Sequence, residues 1–185
     1  MTERLRRPAL APAPIRCAVA RTDHPGELLV RHYRQVWTTR MHDLPFVNPA
    51  LSVEAIGLQR HDGDWLGVLL TPWFLNLFLL YGGGSLWADA APGARRSVAL
   101  PCGTLQFIAD DDPDLGSYQY CPLVAPVTNL PDMPTARQVA ADALATVLTV
   151  PAPPPGAVPV ALADAPVALA DASRRNFFRR MVPRP

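Results

Sequence analysis

Cysteine and histidine are the residues of this sequence best suited to nucleophilic, redox or metal chemistry. The cysteines are Cys17, Cys102 and Cys121, and the histidines are His24, His32, His42 and His61. The cysteines form no CxxC pair, and no histidine stands at ligand spacing from a cysteine. Because a zinc or nickel cage needs several convergent thiolate or imidazole ligands, we expect neither an intrinsic metal site nor a bound cofactor.

Thiol chemistry remains an alternative. Cys102 or Cys121 beside His42 or His61 would join a nucleophile to a base. The two cysteines also flank the predicted turn at 110–114, where they would be neighbours across a hairpin. Against this, no nucleophile elbow such as GxSxG is present, and buried thiols in apolar strands are inert. We expect no enzymatic activity, and keep a thiol-dependent redox or hydrolytic protein and a metal-delivery accessory protein as alternatives.

Two further patterns predict loops rather than ligand sites. Gly82-Gly83-Gly84 lacks the Lys-Ser/Thr of a phosphate-binding loop. The carboxylates of Asp110, Asp111, Asp112 and Asp114 lack the order of a calcium-binding loop. We interpret the acidic run as a solvated turn.

Aromatic, methionine and proline residues at the ends of the predicted elements indicate a binding surface. The segments are Met41-His42-Asp43-Leu44-Pro45-Phe46, Thr71-Pro72-Trp73-Phe74, and Leu123 with Pro126. Such side chains favour interface cores, and loops held by a sheet are where binding residues concentrate. The alternative is that Trp73 and Phe46 cap the hydrophobic core.

The elements that position these loops predict an α+β fold. A helix is capped by Thr22 or Asp23 and runs to about Arg40, and a second helix covers 134–149. The predicted strands are 53–59, 65–70, 97–100, 103–108 and 117–124, with a hairpin turn at Asp62-Gly63 and an apolar segment, 74–81, that is ambiguous between helix and strand. We expect an antiparallel sheet with the N-terminal and C-terminal helices packed on it, both on one face.

The composition suggests one domain, 22–150, between a disordered arm (1–21) and a Pro/Ala-rich linker (151–172) that leads to a basic, aromatic tail (173–185). The net charge of +1 provides no field for nucleic acid. The apolar stretch 65–81 is shorter than the ~20 residues of a membrane span, and Gly67 and Pro72 interrupt it. Without a signal peptide, we expect a cytoplasmic protein with no stable membrane insertion.

Five short blocks follow one another along the chain. They are Met41-His42-Asp43-Leu44-Pro45-Phe46 with Asn48-Pro49; Trp65-x-Gly67; Thr71-Pro72-Trp73; Leu100-Pro101-x-Gly103-Thr104; and Gly116-Ser117-Tyr118-Gln119-Tyr120. In this order they resemble the HybE-type assembly chaperones of nickel–iron hydrogenase. The resemblance covers about residues 25–150.

This resemblance implies a non-enzymatic chaperone for hydrogenase maturation. Its expected partners are the hydrogenase small subunit, which bears a twin-arginine export signal, and the large subunit, both held before export. Some family members carry a rubredoxin module with paired CxxC motifs. This chain has none, so a rubredoxin-like accessory protein would be a separate partner, as the similarity to the stand-alone, HoxT-like branch also implies.

The tail contains Ser173-Arg174-Arg175-Asn176-Phe177-Phe178-Arg179, which resembles the twin-arginine motif Ser-Arg-Arg-x-Phe-Leu-Lys. It stands at the wrong end of the chain for an export signal, and no apolar stretch follows it. We hypothesise that Arg174, Arg175, Phe177 and Phe178 imitate the client's signal and occupy the chaperone's own groove or a signal receptor. The alternative is a basic tail that matches by accident.

Overall fold

The computed structural model of the chain describes residues 14–151. The first 13 residues of the predicted arm, the linker after Pro151 and the whole basic tail lie outside the described residues. Within them, the structure has two α-helices, six strands and one π-helical turn. These are α1 (Gly26–Val36), the π-helical turn (Trp37–Met41), β1 (Glu54–His61), β2 (Asp64–Leu70), β3 (Leu75–Leu80), β4 (Arg95–Leu100), β5 (Gly103–Asp112), β6 (Gly116–Val124) and α2 (Met133–Val147).

The six strands form one antiparallel sheet in the order β1-β2-β3-β6-β5-β4. The predicted α+β class is therefore confirmed. The ambiguous segment 74–81 is strand β3, paired with β2 on one side and β6 on the other. The predicted hairpin turn is also confirmed, because Asp62 and Gly63 both have positive φ angles, of 48° and 87°, as a type I′ turn requires.

The two helices lie on opposite faces of the sheet, so the prediction that both lie on one face is wrong. On one face, Leu29 and Tyr33 of α1 pack with Leu69 of β2, in what we call the α1-side core. On the other face, α2 packs with Leu66 and Val68, in the α2-side core. Successive side chains of β2 point to opposite faces of the sheet, so they pack against different helices. Every residue of β2 is therefore buried.

Helix α1 starts later than predicted, and neither Thr22 nor Asp23 caps it. Pro25 is the N-cap residue, and the ring nitrogen Nδ1 of His24 accepts a hydrogen bond from Gly26 N at 3.2 Å. The helix ends in the π-helical turn, which the sequence pattern did not predict. Helix α2 has an ordinary cap: the Asp132 side chain accepts from Thr135 N at 2.8 Å. Hydrogen bonding to the Thr135 side chain, and then to its backbone N–H, lowers the pKa of the Asp132 carboxyl.

Part of the predicted arm, residues 14–21, is described and contacts the domain. Arg21 N donates to Tyr81 O at 2.8 Å, and Arg21 O accepts from the Trp65 indole at 2.9 Å. Ala18 N donates to the Asp89 carboxylate at 3.0 Å. These bonds hold the segment at the end of the sheet where β2 begins.

The loop after β3 wraps around a fully buried carboxylate. Asp64 Oδ1 accepts from Gly82 N and Gly84 N, and its Oδ2 accepts from Trp87 N at 2.8 Å. A Cβ on Gly84 would lie 2.2 Å from Asp62 O, so the close approach requires glycine. The triple-glycine segment is a loop, as predicted.

The Gly116–Tyr120 block shapes the hairpin of β5 and β6. Gln119 is fully buried; its amide donates to Ala88 O at 2.9 Å and accepts from the Arg96 guanidinium at 2.7 Å. Ser117 donates to the Asp111 carboxylate at 3.0 Å. β5 extends to Asp112, so the acidic turn is shorter than predicted.

The apolar stretch 65–81 forms β2 and β3 inside the sheet. Among the described residues, neither helix has the length and apolar character to cross a bilayer.

Gly67→Ala should destabilise the domain. A Cβ at this position would lie 2.5 Å from Leu58 Cα, where β1 bulges between Ile56 and Gln59. Because the clash is with backbone, we expect a loss of about 1–3 kcal/mol in the free energy of unfolding, measured by urea denaturation. The control is Ala99→Ser, at an exposed position of β4. Equal stability of the two variants would contradict the prediction.

Candidate partner-binding surface

The three segments predicted to bind a partner meet at one end of the sheet, where the buried side chain of Asn48 joins them. Asn48 Nδ2 donates to Val127 O at 3.1 Å and to Leu130 O at 2.6 Å. Asn48 N donates to Pro72 O at 2.7 Å. The segment that follows α1, the β2–β3 turn and the segment that follows β6 are therefore held together by one residue.

Thr71 fixes the shape of the β2–β3 turn. Its hydroxyl accepts from Trp73 N at 3.3 Å and from Phe74 N at 3.0 Å, and donates to Phe74 O at 3.1 Å. Thr71 and Pro72 are buried. These two predicted contact residues thus position the neighbouring aromatic side chains rather than presenting their own.

Stacked aromatic rings cover this end of α1. The Trp73 indole stacks on Trp37, with ring centroids 5.9 Å apart and planes inclined by 13°. Phe74 meets Tyr33 edge to face at 5.6 Å. Trp37, Trp73 and Phe74 all remain partly exposed. From the sequence, Trp37 was expected only as part of the predicted helix that runs to about Arg40, and its place in this surface was not predicted.

Phe46 projects from the segment between the π-helical turn and Asn48. Its side chain is 44% exposed, so Phe46 does not cap the core. Trp73, by contrast, packs partly against the α1-side core, so the predicted role as a core cap is confirmed for this residue, while part of its ring stays exposed. Around Phe46, the residues His42, Asp43 and Pro45 are exposed, while Met41 and Leu44 are partly buried.

The third segment contributes less than predicted. Pro126 is exposed, whereas Leu123 is 7% exposed and packs in the α2-side core. We define the loop-end surface by its exposed or partly exposed apolar side chains: Trp37, Met41, Phe46, Trp73, Phe74 and Pro126.

Buried polar groups connect this surface to the sheet. Tyr118 donates to the Asp110 carboxylate at 3.0 Å and also bonds Tyr33. Burial raises the pKa of both phenols far above the ordinary tyrosine value, because it disfavours the phenolate. Asn76 is 5% exposed, and its Oδ1 meets no donor among the described residues.

The thiols are not arranged for catalysis or for a disulfide. Cys121 would stand opposite Phe107 in the β5–β6 register, in which Ile108 pairs with Tyr120. Cys102 lies five residues before Phe107, roughly 17 Å along the strand, so the predicted proximity of the two cysteines is wrong. Burial raises the pKa of the Cys102 thiol, which lowers its reactivity.

The histidine–thiol pairs considered from sequence are not formed either. Strands β2 and β3 separate Cys121 on β6 from His61 at the end of β1, so the two residues are at least roughly 14 Å apart. Cys102 packs against the α2-side core, whereas His42 follows the π-helical turn and its Nε2 lies 2.9 Å from the Asp43 carboxylate.

The structure brings together one group that the sequence analysis did not: His32, Asp112 and Asp114, which tie α1 to the tip of the β5–β6 hairpin. His32 Nε2 lies 3.5 Å from Asp112 Oδ2, and its Nδ1 lies 3.9 Å from Asp114 Oδ2. Each ring nitrogen faces a different carboxylate, so the imidazole ring lies between the two aspartates. A metal ion would bind only one of the two nitrogens.

Asn48→Ala should loosen the loop-end surface. Removing the amide leaves the carbonyls of Val127 and Leu130 without this donor, at a cost of about 1–3 kcal/mol. We expect faster hydrogen exchange at Leu130 N, which donates to Val127 O at 3.1 Å. Asn129→Ala, at an exposed position of the same segment, is the control. Unchanged exchange at Leu130 would show that Asn48 does not hold the loops.

Comparison with known proteins places these features in a family. A family model described as NiFe-hydrogenase assembly, chaperone, HybE matches residues 24–180. The protein named "Probable rubredoxin HupJ" from Rhodobacter capsulatus is 40% identical over 103 residues, which is 56% of this chain but only 37% of HupJ. The hydrogenase expression/formation protein HoxT from Azotobacter vinelandii is 36% identical over 164 residues, covering 85% of this chain and 95% of HoxT.

The solution structure of HybE from Escherichia coli shares the fold. It superposes with a TM-score of 0.59 at 23% sequence identity, covering 84% of this chain and 98% of that chain. The family match spans most of the chain, and HoxT is similar over nearly its full length. The chain therefore belongs to the HybE family of nickel–iron hydrogenase assembly chaperones, which act in hydrogenase maturation and are not enzymes.

Proposed function

We propose that this protein binds nickel–iron hydrogenase subunits through its loop-end surface in the cytoplasm, before their export. The clients are the small subunit, with its twin-arginine signal, and/or the large subunit. The observation that carries the proposal is the exposed Phe46 side chain beside the stacked Trp37–Trp73 pair. Membership of the assembly-chaperone family supports hydrogenase subunits as the clients.

The geometry suits recognition of apolar client surface. Aromatic side chains at a well-packed centre provide most of the affinity in protein interfaces. Here the hydrogen bonds of Asn48 and Thr71 fix the backbone of the loops that carry these aromatic side chains. Little conformational entropy of the loops is then lost on binding. The exposed Arg40 and Asp43 flank the apolar group, where charges set orientation and association rate.

A separate rubredoxin-like accessory protein is a further proposed partner. The similarity to "Probable rubredoxin HupJ" covers only part of that protein, and this chain has no CxxC motif. A rubredoxin iron site takes four cysteine thiolates, so three separate cysteines cannot provide it.

Phe46→Ser should weaken client binding without unfolding the domain. Loss of an exposed aromatic anchor typically reduces affinity about tenfold or more. The measurement is titration calorimetry with purified small-subunit precursor and, separately, with the large subunit. Val19→Ser is the matched control, because Val19 is an exposed apolar residue at the opposite end of the sheet.

The two titrations separate the possible clients. An effect on the precursor alone assigns the surface to the small subunit, and an effect on the large subunit alone assigns it there. If Phe46→Ser and Val19→Ser bind both subunits as tightly as the original chain does, the loop-end surface is not the client site.

The thiol alternative gives a different result. The double variant Cys102→Ser, Cys121→Ala should keep both client affinity and hydrogenase maturation in cells, because a chaperone of this kind uses neither thiol. Alanine is chosen at position 121 because that side chain is buried in the α2-side core. Loss of maturation by a variant that is folded and binds clients would instead indicate thiol chemistry.

A further inference from the structure

One half of the sheet is uncovered on its α1 side. Tyr118 and Tyr120 of β6 face α1, and Ile108 of β5 pairs directly with Tyr120 and so shares its face. Other α1-side residues of these strands are partly or fully exposed. We call this surface the open face, formed by Tyr120 and Pro122 of β6, Thr104, Gln106 and Ile108 of β5, and Ser97 and Ala99 of β4.

The open face joins the loop-end surface at one end and an acidic turn at the other. Tyr120 lies 6.2 Å from Phe78, which in turn stacks with Phe74 at 6.3 Å. This end of the β5–β6 hairpin carries four carboxylates, Asp110, Asp111 and Asp112 of β5 and Asp114 of the turn, of which Asp111 pairs with Arg16 at 3.0 Å. Among the described residues, the other three carboxylates have no arginine partner. The exposed Arg95 is the one basic side chain of β4 on this side.

The chain leaves the described domain close to the open face. Cys102 N donates to Val147 O at 3.1 Å, which places the end of α2 at the turn between β4 and β5. Since β4 is an edge strand, the chain has only to pass this edge to reach the α1 side. Arg174 is 23 positions after Pro151 in the sequence, and a segment of that length can reach up to about 80 Å, which is more than the width of the sheet.

We propose that residues 173–185 of the same chain occupy the open face and cover the edge of the loop-end surface until a client displaces them. This segment has five arginines and no acidic residue, with Phe177 and Phe178 among them, which complements an aromatic surface next to an acidic turn. In an extended segment, Arg175 and Phe177 are two residues apart, the same spacing as Asp110 and Ile108 on β5. The arginine pair thus meets the carboxylates while an aromatic ring lies on Ile108 and Tyr120.

The proposal rests on the proposed function for the identity of the site it regulates. The tether makes a weak contact effective, because a linked segment is present at about millimolar local concentration. A client that binds the loop-end surface more tightly then releases the tail.

Photo-crosslinking of the full chain without any client tests the contact. Benzoylphenylalanine replaces Phe177, and the matched control carries it in place of Leu169, in the linker. We expect adducts within one molecule, mostly on residues 103–124, from position 177 only. Arg174→Glu with Arg175→Glu should lower the adduct yield about fivefold, through loss of ion pairing with the acidic turn, whereas Arg184→Glu should leave it nearly unchanged.

Several results would overturn the proposal. These are adducts scattered over both faces of the sheet, adducts formed only between two molecules, equal yields from positions 177 and 169, and a yield unaffected by charge reversal. Because no client is present, this assay can fail while the Phe46→Ser titration succeeds, and the reverse also holds. The two ideas are therefore tested separately.

Discussion

Strands β2 and β3 carry apolar side chains on both faces, and the rest of the fold has to cover both. Every residue of the two strands is buried. A strand of this kind is stable only in the middle of a sheet with a layer on either side. Helix α1 supplies one layer. Helix α2, together with Leu86 and Trp87 from the loop after β3, supplies the other.

The same constraint explains why part of the sheet stays open. Six strands are about 24 Å wide, whereas one helix with its side chains is about 10 Å wide. Helix α1, the single helix on its face within residues 14–151, therefore covers the apolar centre and leaves β5 and β4 exposed on that side. The sequence of β4 agrees, because Val98 and Leu100 are buried while Ser97 and Ala99 are exposed. Because buried and exposed residues alternate along β4, this strand needs a packed layer on one face only.

Local signals in the sequence predicted the hairpins, the two helices and the loops that meet at the loop-end surface. The sequence also contained a signal for helices on opposite faces of the sheet, which our prediction did not use. An unbroken apolar run such as 65–70 is typical of a strand that is buried on both faces. The role of Asn48 in joining the loops could not be predicted from the sequence, because its amide donates to carbonyl groups 79 and 82 residues away. The stack of Trp37 on Trp73 likewise depends on how α1 meets the β2–β3 turn, which no local pattern encodes.

Holding apolar loops in place has a cost in an unoccupied chaperone. Asn48 and Thr71 order the loop-end surface through their hydrogen bonds, which keeps Phe46 exposed to water. Exposed apolar patches of this kind promote association with the wrong partners. The cover proposed above, from residues 173–185 of the same chain, would solve the difficulty: its tether would give a high local concentration, so its own contacts could remain weak. Under this proposal, weak contacts would allow a client to compete, and the loop-end surface would be protected without losing affinity for the hydrogenase subunits.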